Sequence, residues 1–316
     1  MNDSWVVQTP LRLDRSVAER VGSRQRARDV LQSGKVWVDG APVGLEAAGI
    51  IVPVGAVVDL RWNTPGTGRT RTKGRVDLQE HGVEVIYEDP DLVVFNKPTG
   101  LLTDTASEAQ RKAERSLVAL ARPYLTSADT AAAHRLDRDT TGAVVIARTP
   151  AAFEGLRAQF HARSPVRIYR ALIHGDVGPG GRFDDPMLWD RKLLIQRAPR
   201  QGERGEVASA RWTRIGSSRG VSLVEVQLET GKRNQIRLHW ALVGRPLVGE
   251  RLYLPPGWRA RPPQAPRQML HAAHLGFLHP RTQAPLAFDV PPPPDFRAVL
   301  GTVGLPWPPC RPSAPG

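Results

Sequence analysis

Apolar residues at helical spacing mark the beginning of the chain. Leu13, Val17 and Val21 lie four residues apart, which places them on one face of a helix. A second short helix is predicted to begin after Ser23, because serine caps helix N-termini. Gly34 is well placed just past the end of that helix. The pattern therefore predicts two consecutive short helices before residue 35.

Short apolar runs with period two follow the helices. Strands are predicted at residues 35–38, 50–54 and 57–62, and Asp39-Gly40 is a typical hairpin turn between two of them. These elements predict a small separate α/β module over residues 1–62.

The rest of the chain is rich in strands. Residues 63–78 carry Gly, Thr and Arg without an apolar period and are predicted to be a basic, flexible linker. Strands are predicted at residues 83–87, 92–95, 143–147, 167–174, 208–214 and 223–228, and helices after Thr149 and at 235–243. Many strands, few helices and no regular alternation predict an α+β domain over residues 79–297 with a mainly antiparallel or mixed central sheet. Residues 298–316 are predicted to form an extended, mobile, proline-rich tail.

The balance of charge favours a polyanionic partner. Lys and Arg number 44 against 31 Asp and Glu, which gives a net charge of +13 and a pI near 10.8. This excess favours RNA or DNA. Arg24 and Arg28 lie four apart on the second predicted helix and project from one face. They form either a solvated charged face or, beside the helix N-terminus, a phosphate contact.

Composition also excludes several classes of protein. Cys310 is the only cysteine, so a disulfide framework and a cysteine metal site are excluded. The first 30 residues lack an apolar signal core, and no stretch of about 18 apolar residues could span a membrane. We therefore expect a cytoplasmic protein without a membrane partner.

Candidate chemistry concentrates at residues 133–142. Asp137 lies near two arginines, Arg135 and Arg138, on a turn that leads into the apolar run 143–147. Burial raises the pKa of a carboxylate, whereas nearby guanidinium groups lower it. An aspartate held ionised in a partly dry cleft can act as a nucleophile. The alternative is a turn aspartate that hydrogen-bonds its own backbone.

Several segments together carry a resemblance to a known family. In chain order they are Asn96-Lys97-Pro98-Thr99-Gly100, His134 to Gly142, Arg167 to Leu172, Thr230 to His239, and Leu270-His271-Ala272 with Leu275 and His279-Pro280. They resemble the RluA family of RNA pseudouridine synthases over about residues 83–297. Residues 12–60 resemble the αL RNA-binding module that often precedes this domain.

The resemblance implies a cofactor-free isomerase that converts uridine in RNA to pseudouridine. It implies that Asp137 is the nucleophile, that Tyr169 stacks on the base and moves a proton, and that Arg237 pairs with Asp137 and keeps it ionised. Arg135 would enter the RNA stack when the target uridine flips out. Because bond order is conserved overall, the reaction needs no metal, nucleotide or redox cofactor.

Further residues are implied to contact the substrate. They are Leu275 in the base pocket, Gln235 beside Arg237, and Lys97, which is either structural or in contact with phosphate. The basic front module, with Arg24 and Arg28, favours ribosomal RNA as the partner over transfer RNA. A catalytically silent RNA-binding or ribosome-assembly protein on the same fold is the other alternative. Nothing in the sequence demands more than a monomer.

The chain departs from the family pattern at four positions. Thr141 replaces a serine and retains the hydroxyl group. Arg233 and Asn234 replace the common threonine and histidine, which changes the expected substrate contacts, and Glu250 replaces a frequent aspartate. None of these departures removes a group to which the resemblance assigns chemistry.

Overall fold

The computed structural model describes residues 2–61, 77–105 and 115–308. By internal contacts these residues divide into two compact units. The smaller unit holds the residues up to 61 together with Tyr87–Leu92, and the larger unit holds the remainder. Most of the predicted linker lies outside the described residues. The predicted domain boundaries stay predictions.

The smaller unit contains two helices and six short strands. Its elements are β1 (Asn2–Val6), β2 (Leu11–Arg12), α1 (Leu13–Val21), α2 (Arg24–Gln32), β3 (Val36–Val38), β4 (Ala41–Val43), β5 (Ile51–Val52) and β6 (Val57–Arg61). As predicted, the Ser23 side chain caps α2 by accepting a hydrogen bond from the Arg26 amide at 3.2 Å. The predicted apolar faces of α1 and α2 pack into one core with the strands.

The sheet of the smaller unit contains two strands that were not predicted, β1 and β4, and lacks one that was. Its strand order is β1-β6-β3-β4, and the hairpin between β3 and β4 turns at Asp39-Gly40, as predicted. The predicted strand at 50–54 is only Ile51–Val52, and it pairs with β2 instead of joining this sheet. The reason is that only Val52 of this segment is buried in the core.

The larger unit is built on one mixed sheet. Its strands are β7 (Glu84–Glu88), β8 (Leu92–Lys97), β9 (Ala131–Ala132), β10 (Thr141–Ala147), β11 (Val166–His174), β12 (Gly180–Asp190), β13 (Ile195–Arg197), β14 (Glu206–Ser218), β15 (Val221–Leu228), β16 (Leu270–Leu278) and β17 (Pro285–Asp289). They run in the order β13-β12-β14-β15-β11-β16-β10-β8-β7, while β17 pairs with β16 and β9 with β10. The β10–β16 pair is parallel, whereas β11 is antiparallel to both β15 and β16. The predicted α+β fold with a mixed sheet is confirmed.

The described helices of the larger unit are α3 (Leu117–Leu125), α4 (Pro150–Ala162), α5 (Gln235–Leu242) and α6 (Pro294–Val303). The prediction of an extended tail from residue 298 is wrong for residues 298–307. Apolar residues of α6 at helical spacing pack into the core, Leu305 is buried, and the Trp307 ring lies 5.5 Å from that of Phe296. The many prolines around this segment hide its helical period. None of the described helices is long and apolar enough to cross a membrane.

Candidate active site

A cleft of about 780 Å³ in the larger unit contains Asp137. Its walls come from the loop before β10, the end of α4, strand β11, and the turn that leads into α5. Both Arg135 and Tyr169 line it, together with Arg163, Arg167 and Arg233. The fold thus brings four of the five separate sequence segments to one cavity.

The loop that carries Asp137 is held on both sides of this residue. Thr103 Oγ1 accepts a hydrogen bond from the Leu136 amide and donates one to the Leu136 carbonyl, both at 3.0 Å. Lys97 Nζ donates to the Arg138 carbonyl at 2.8 Å, and Arg267 Nη1 donates to the Asp139 carbonyl at 2.9 Å. These bonds fix the backbone of Asp137 before any substrate binds, as a preorganised site requires.

Gly142 explains how the loop approaches the strand that carries Tyr169. Strand β10 lies parallel to β16 with Gly142 opposite Ala272, and Ala272 is opposite Tyr169 on the other side. A Cβ atom on Gly142 would lie 2.2 Å from the Ala272 carbonyl oxygen, and its φ is +114°. Only glycine allows this approach.

Asn234 is the closest polar partner of the Asp137 carboxylate. With its amide nitrogen towards Asp137, Asn234 Nδ2 donates to both carboxylate oxygens at 2.8 Å, and its Oδ1 accepts from the Tyr253 hydroxyl at 2.9 Å. The opposite orientation would place the amide oxygen against the carboxylate, so we assign the first. Two hydrogen bonds to one carboxylate define its rotamer.

Arg237 contributes charge to Asp137 more than it contributes hydrogen bonds. Its Nη1 lies 3.7 Å from Asp137 Oδ2, whereas Nε and Nη2 bind the two oxygens of Glu250 at 2.8 and 2.7 Å. The Glu250 side chain is 0% exposed and also accepts the Leu252 and Tyr253 amides. Because Glu250 occupies the planar fork of Arg237, Arg237 pairs with Asp137 by charge, and Asn234 is the residue that hydrogen-bonds the carboxylate.

The ionisation of this cluster follows from burial and neighbouring charge. The Asp137 side chain is 19% exposed. Its burial raises the pKa of Asp137 above the usual value, although Arg237, Arg135 and Lys97 pull it down. Burial alone would raise the pKa of Glu250, but the hydrogen bonds and charge of Arg237 bring it below its usual value.

Tyr169 lies buried on β11 and lines the cleft. Burial raises the pKa of its hydroxyl to about 12, with the nearby Arg167 lowering it and Asp137 raising it. The ring is therefore a neutral phenol at ordinary pH. Such a group can stack on a base and donate a hydrogen bond.

Arginines line the cleft around Asp137. Arg135 is exposed and contributes to the electrostatic environment of Asp137. The Arg233 guanidinium lies 3.8 Å from the centroid of the Trp189 ring, an ordered cation–π contact. Lys232 pairs with Glu206. The departure to arginine at 233 thus adds a cation held in place by an aromatic ring.

Two residues that were predicted to contact substrate, Lys97 and Gln235, are buried and hydrogen-bonded within the protein. Lys97 is fully buried, and its ammonium donates to the carbonyls of Pro98, Leu101 and Arg138, so the structure favours the structural alternative. Gln235 is also buried, and its amide binds Thr230, the Lys232 amide and the Ser209 carbonyl. Gln235 also lines the cleft, and its internal bonds hold the turn before α5, so substrate contact by Gln235 stays a prediction.

The base-pocket prediction also changes. Leu275 is buried on β16 and does not line the cleft, where Leu270 and Ile236 do. His134 has a packing role beside the cleft. Its Nε2 accepts the Val145 amide at 3.1 Å, its ring stacks on Phe160 at 4.4 Å, and burial lowers its pKa to about 3.

Arg24 and Arg28 lie on α2 of the smaller unit, where both are exposed. Neither is among the residues that line the cleft. Their predicted contact with RNA stays a prediction.

Sequence reasoning missed the supports of Asp137. It named Asn234 and Glu250 only as departures, and it did not name Thr103, Arg267 or Tyr253. The signal for Asn234 was its place three residues before Arg237, since one helical turn brings both side chains towards the same group. Thr103 and Arg267 lie far along the chain from Asp137 and gave no local signal.

Comparisons with known proteins identify the family of this chain. Residues 91–242 match the family model described as RNA pseudouridylate synthase. The chain is 33% identical over 295 residues to a protein of Pseudomonas aeruginosa named ribosomal large subunit pseudouridine synthase D, which covers 88% of this chain and 87% of that protein. A protein of the same name from Zymomonas mobilis is 30% identical, with 92% of each chain covered.

A solved structure supports the same fold. The human protein titled RNA pseudouridylate synthase domain containing 4 aligns with a TM-score of 0.56 at 24% identity, covering 71% of this chain and 94% of that one. The family match and the curated relatives together define an isomerase that acts on RNA. The chain belongs to the RNA pseudouridine synthase family, and its activity is the conversion of uridine in RNA to pseudouridine.

Proposed function

We propose that this enzyme modifies specific uridines of ribosomal RNA and that Asp137 is its nucleophile. The observation that carries the assignment is the geometry at Asp137, whose carboxylate accepts two hydrogen bonds from Asn234 and lies 3.7 Å from the Arg237 guanidinium. The relatives named for the large ribosomal subunit support this choice of RNA. The strong positive charge suits a large folded RNA.

The proposed reaction begins when the target uridine leaves the RNA stack and enters the cleft. Arg135, exposed at the cleft wall, takes the vacated place in the stack. The ring of Tyr169 packs against the flipped base. Because its pKa is raised to about 12, Tyr169 keeps its proton and orients the base as a hydrogen-bond donor.

The chemical step exchanges one bond between ribose and base for another. The Asp137 carboxylate bonds to C1′ of the ribose while the bond from C1′ to N1 of uracil breaks and its electron pair stays on N1; the bond from Asp137 to C1′ breaks again when C5 bonds to C1′. The base then turns and C5 bonds to C1′, after which the proton on C5 is lost and N1 gains one. Atoms and electrons balance without a cofactor. Arg237 keeps Asp137 ionised by its charge, and Asn234 keeps the carboxylate aimed.

The remaining parts of the proposal concern organisation. We propose that residues 1–62 are an RNA-binding module and residues 79–297 the catalytic domain. We propose a monomer that works in the cytoplasm without metal or nucleotide. The exposed Arg24 and Arg28 would contact RNA phosphates.

The test is pseudouridine mapping on RNA transcripts that carry no modifications. The purified enzyme should form pseudouridine at discrete sites in large-subunit ribosomal RNA, and the Asp137→Asn variant should form none. If the enzyme modifies only transfer RNA, then transfer RNA replaces ribosomal RNA as the substrate. Absence of product on either RNA would contradict the proposed function.

A further inference from the structure

Arg167 is a buried arginine in the cleft that the mechanism above does not use. It lies on β11 two residues before Tyr169, and both side chains line the cleft, as the two-residue period of a strand allows. The residue is only 8% exposed. Arginine is almost never this deeply buried unless it is paired.

The described part of the chain supplies no anionic partner to Arg167. Its Nε is buried without a hydrogen-bond partner, and no carboxylate in this part of the chain lies within ion-pair distance of its guanidinium. Its surroundings are the Phe160 ring, 5.8 Å from Cζ, and Gly231, where a Cβ atom would lie 2.6 Å from Nη1. Because Gly231 has no side chain, there is room for the Arg167 guanidinium.

A second cation, Arg163, raises the free-energy cost of burying the Arg167 charge without a counter-charge. Burial lowers the pKa of Arg167, and the charge of Arg163, at the end of α4, lowers it further. Arg163 is exposed and lines the same cleft. A buried charge without a partner destabilises a fold, so this arrangement fits a group whose partner arrives with the ligand.

We propose that Arg167, with Arg163 at its side, binds a backbone phosphodiester of the RNA next to the flipped uridine. The planar guanidinium suits two phosphate oxygens at once. Arg167, Tyr169 and Asp137 line the same cleft, so the phosphate would bind beside the base-stacking ring. The inference rests on the proposed function, because it assumes that RNA enters this cleft.

The experiment compares three variants of the full chain. Arg167→Gln removes the charge, Arg167→Met fills the space with an apolar side chain, and Arg157→Gln is the matched control. Arg157 is on α4, its side chain is 65% exposed, and it does not line the cleft. The unfolding temperature of each protein is measured in rising inorganic phosphate, with chloride adjusted to constant ionic strength.

Phosphate should raise the unfolding temperature of wild type and of Arg157→Gln, since a ligand that binds only the folded state stabilises it. It should have no such effect on either Arg167 variant. Without phosphate, both Arg167 variants should unfold at or above the wild-type temperature. An unchanged phosphate response in both Arg167 variants, or a marked loss of stability in both, would overturn the proposal.

RNA binding provides the second readout. The dissociation constant of Arg167→Gln for unmodified large-subunit ribosomal RNA should rise at least about tenfold, the size expected for a lost hydrogen bond to a charged group. Arg157→Gln should stay within about twofold of wild type, as exposed charges contribute little. Equal affinities for wild type and Arg167→Gln would overturn the proposal. If wild type forms no pseudouridine in this RNA, the proposed substrate fails and the phosphate titration alone decides about Arg167.

Discussion

Two groups of charged residues in the same cleft are organised in opposite ways. In the aspartate cluster (Asp137, Asn234, Arg237 and Glu250), each charge has a partner within the protein. In the arginine cluster (Arg163 and Arg167), the buried guanidinium has no anionic partner among the described residues. Partners within the protein hold a reacting group in place. A buried charge that lacks such a partner is suited to binding a ligand of opposite charge.

The largest expected effect comes from removing the nucleophile. Asp137→Asn keeps the shape of the side chain but removes the charge that acts on C1′. We expect pseudouridine formation to fall at least about 10³-fold. Asp139→Asn, two residues along the same loop, is the control and should stay near wild type. Residual turnover of Asp137→Asn near the wild-type rate would contradict the assignment.

Breaking the buried ion pair between Arg237 and Glu250 tests whether the charges of the aspartate cluster depend on their partners within the protein. Glu250→Gln leaves Arg237 buried without its charge partner and should lower the free energy of unfolding by about 3 kcal/mol. The pKa of Glu250 is lowered in the folded state, so its contribution is present above the usual value of 4.5 and is lost as pH falls through the lowered value. Denaturant unfolding at pH 7 checks the change. A loss for Arg167→Met as large as that for Glu250→Gln would remove the contrast between the two clusters.

Loss of the Asn234 amide should reduce activity without unfolding the protein. Asn234 has a φ of +52°, so Asn234→Gly removes the side chain without backbone strain. We expect kcat to fall about tenfold, because one charge-assisted contact is lost, with KM little changed. Asn234→His, which restores a ring N–H donor, should recover part of the loss. A rise in KM alone would instead make Asn234 a residue that binds substrate.

The pH dependence of the reaction should report the Asp137 carboxylate. Burial raises the pKa of Asp137, so activity should be lost on acidification at a pH above 3.8, the usual value for aspartate. Asn234→Gly removes a hydrogen bond to the ionised Asp137 carboxylate. It should therefore move the acid limb of the activity profile to higher pH. The profile of kcat/KM against pH measures both. An acid limb that does not move in Asn234→Gly would mean that the amide does not bind the carboxylate.

The smallest effect should come from the smaller unit. Replacing both Arg24 and Arg28 by Gln should weaken RNA binding only a few-fold at low salt, because both side chains are exposed. If each contacts a phosphate, the slope of log affinity against log salt should fall by roughly 0.7 to 0.9 per residue. The slope is measured by titration at several salt concentrations. An unchanged slope would show that this face does not contact RNA.

Sequence patterns predicted the parts of the fold that depend on local spacing. The cap at Ser23, the hairpin at Asp39-Gly40 and the helix after Thr149 follow from neighbouring residues, and the structure confirms them. The motif around Asp137 lies in the cleft, as the sequence predicted for a partly buried carboxylate. Helix α6 was missed because prolines on both sides mask its apolar period.

The supports of the site depend on contacts between distant parts of the chain. Thr103 and Arg267 hold the Asp137 loop from 33 and 128 residues away, and local patterns contain no information about such contacts. The roles of Lys97 and Gln235 could not be decided from local patterns for a related reason. A polar side chain in a functional motif contacts either ligand or backbone, and only burial distinguishes the two.

The central claim is that one cluster performs chemistry and the other binds RNA. Its most direct test is a single-turnover measurement at saturating enzyme, together with the dissociation constant for the same ribosomal RNA, on Asp137→Asn and Arg167→Gln. We predict that Asp137→Asn loses the rate and keeps the affinity, whereas Arg167→Gln loses affinity and keeps most of the saturated rate. If both variants lose both the single-turnover rate and the affinity for RNA, this division of roles between the two clusters is contradicted.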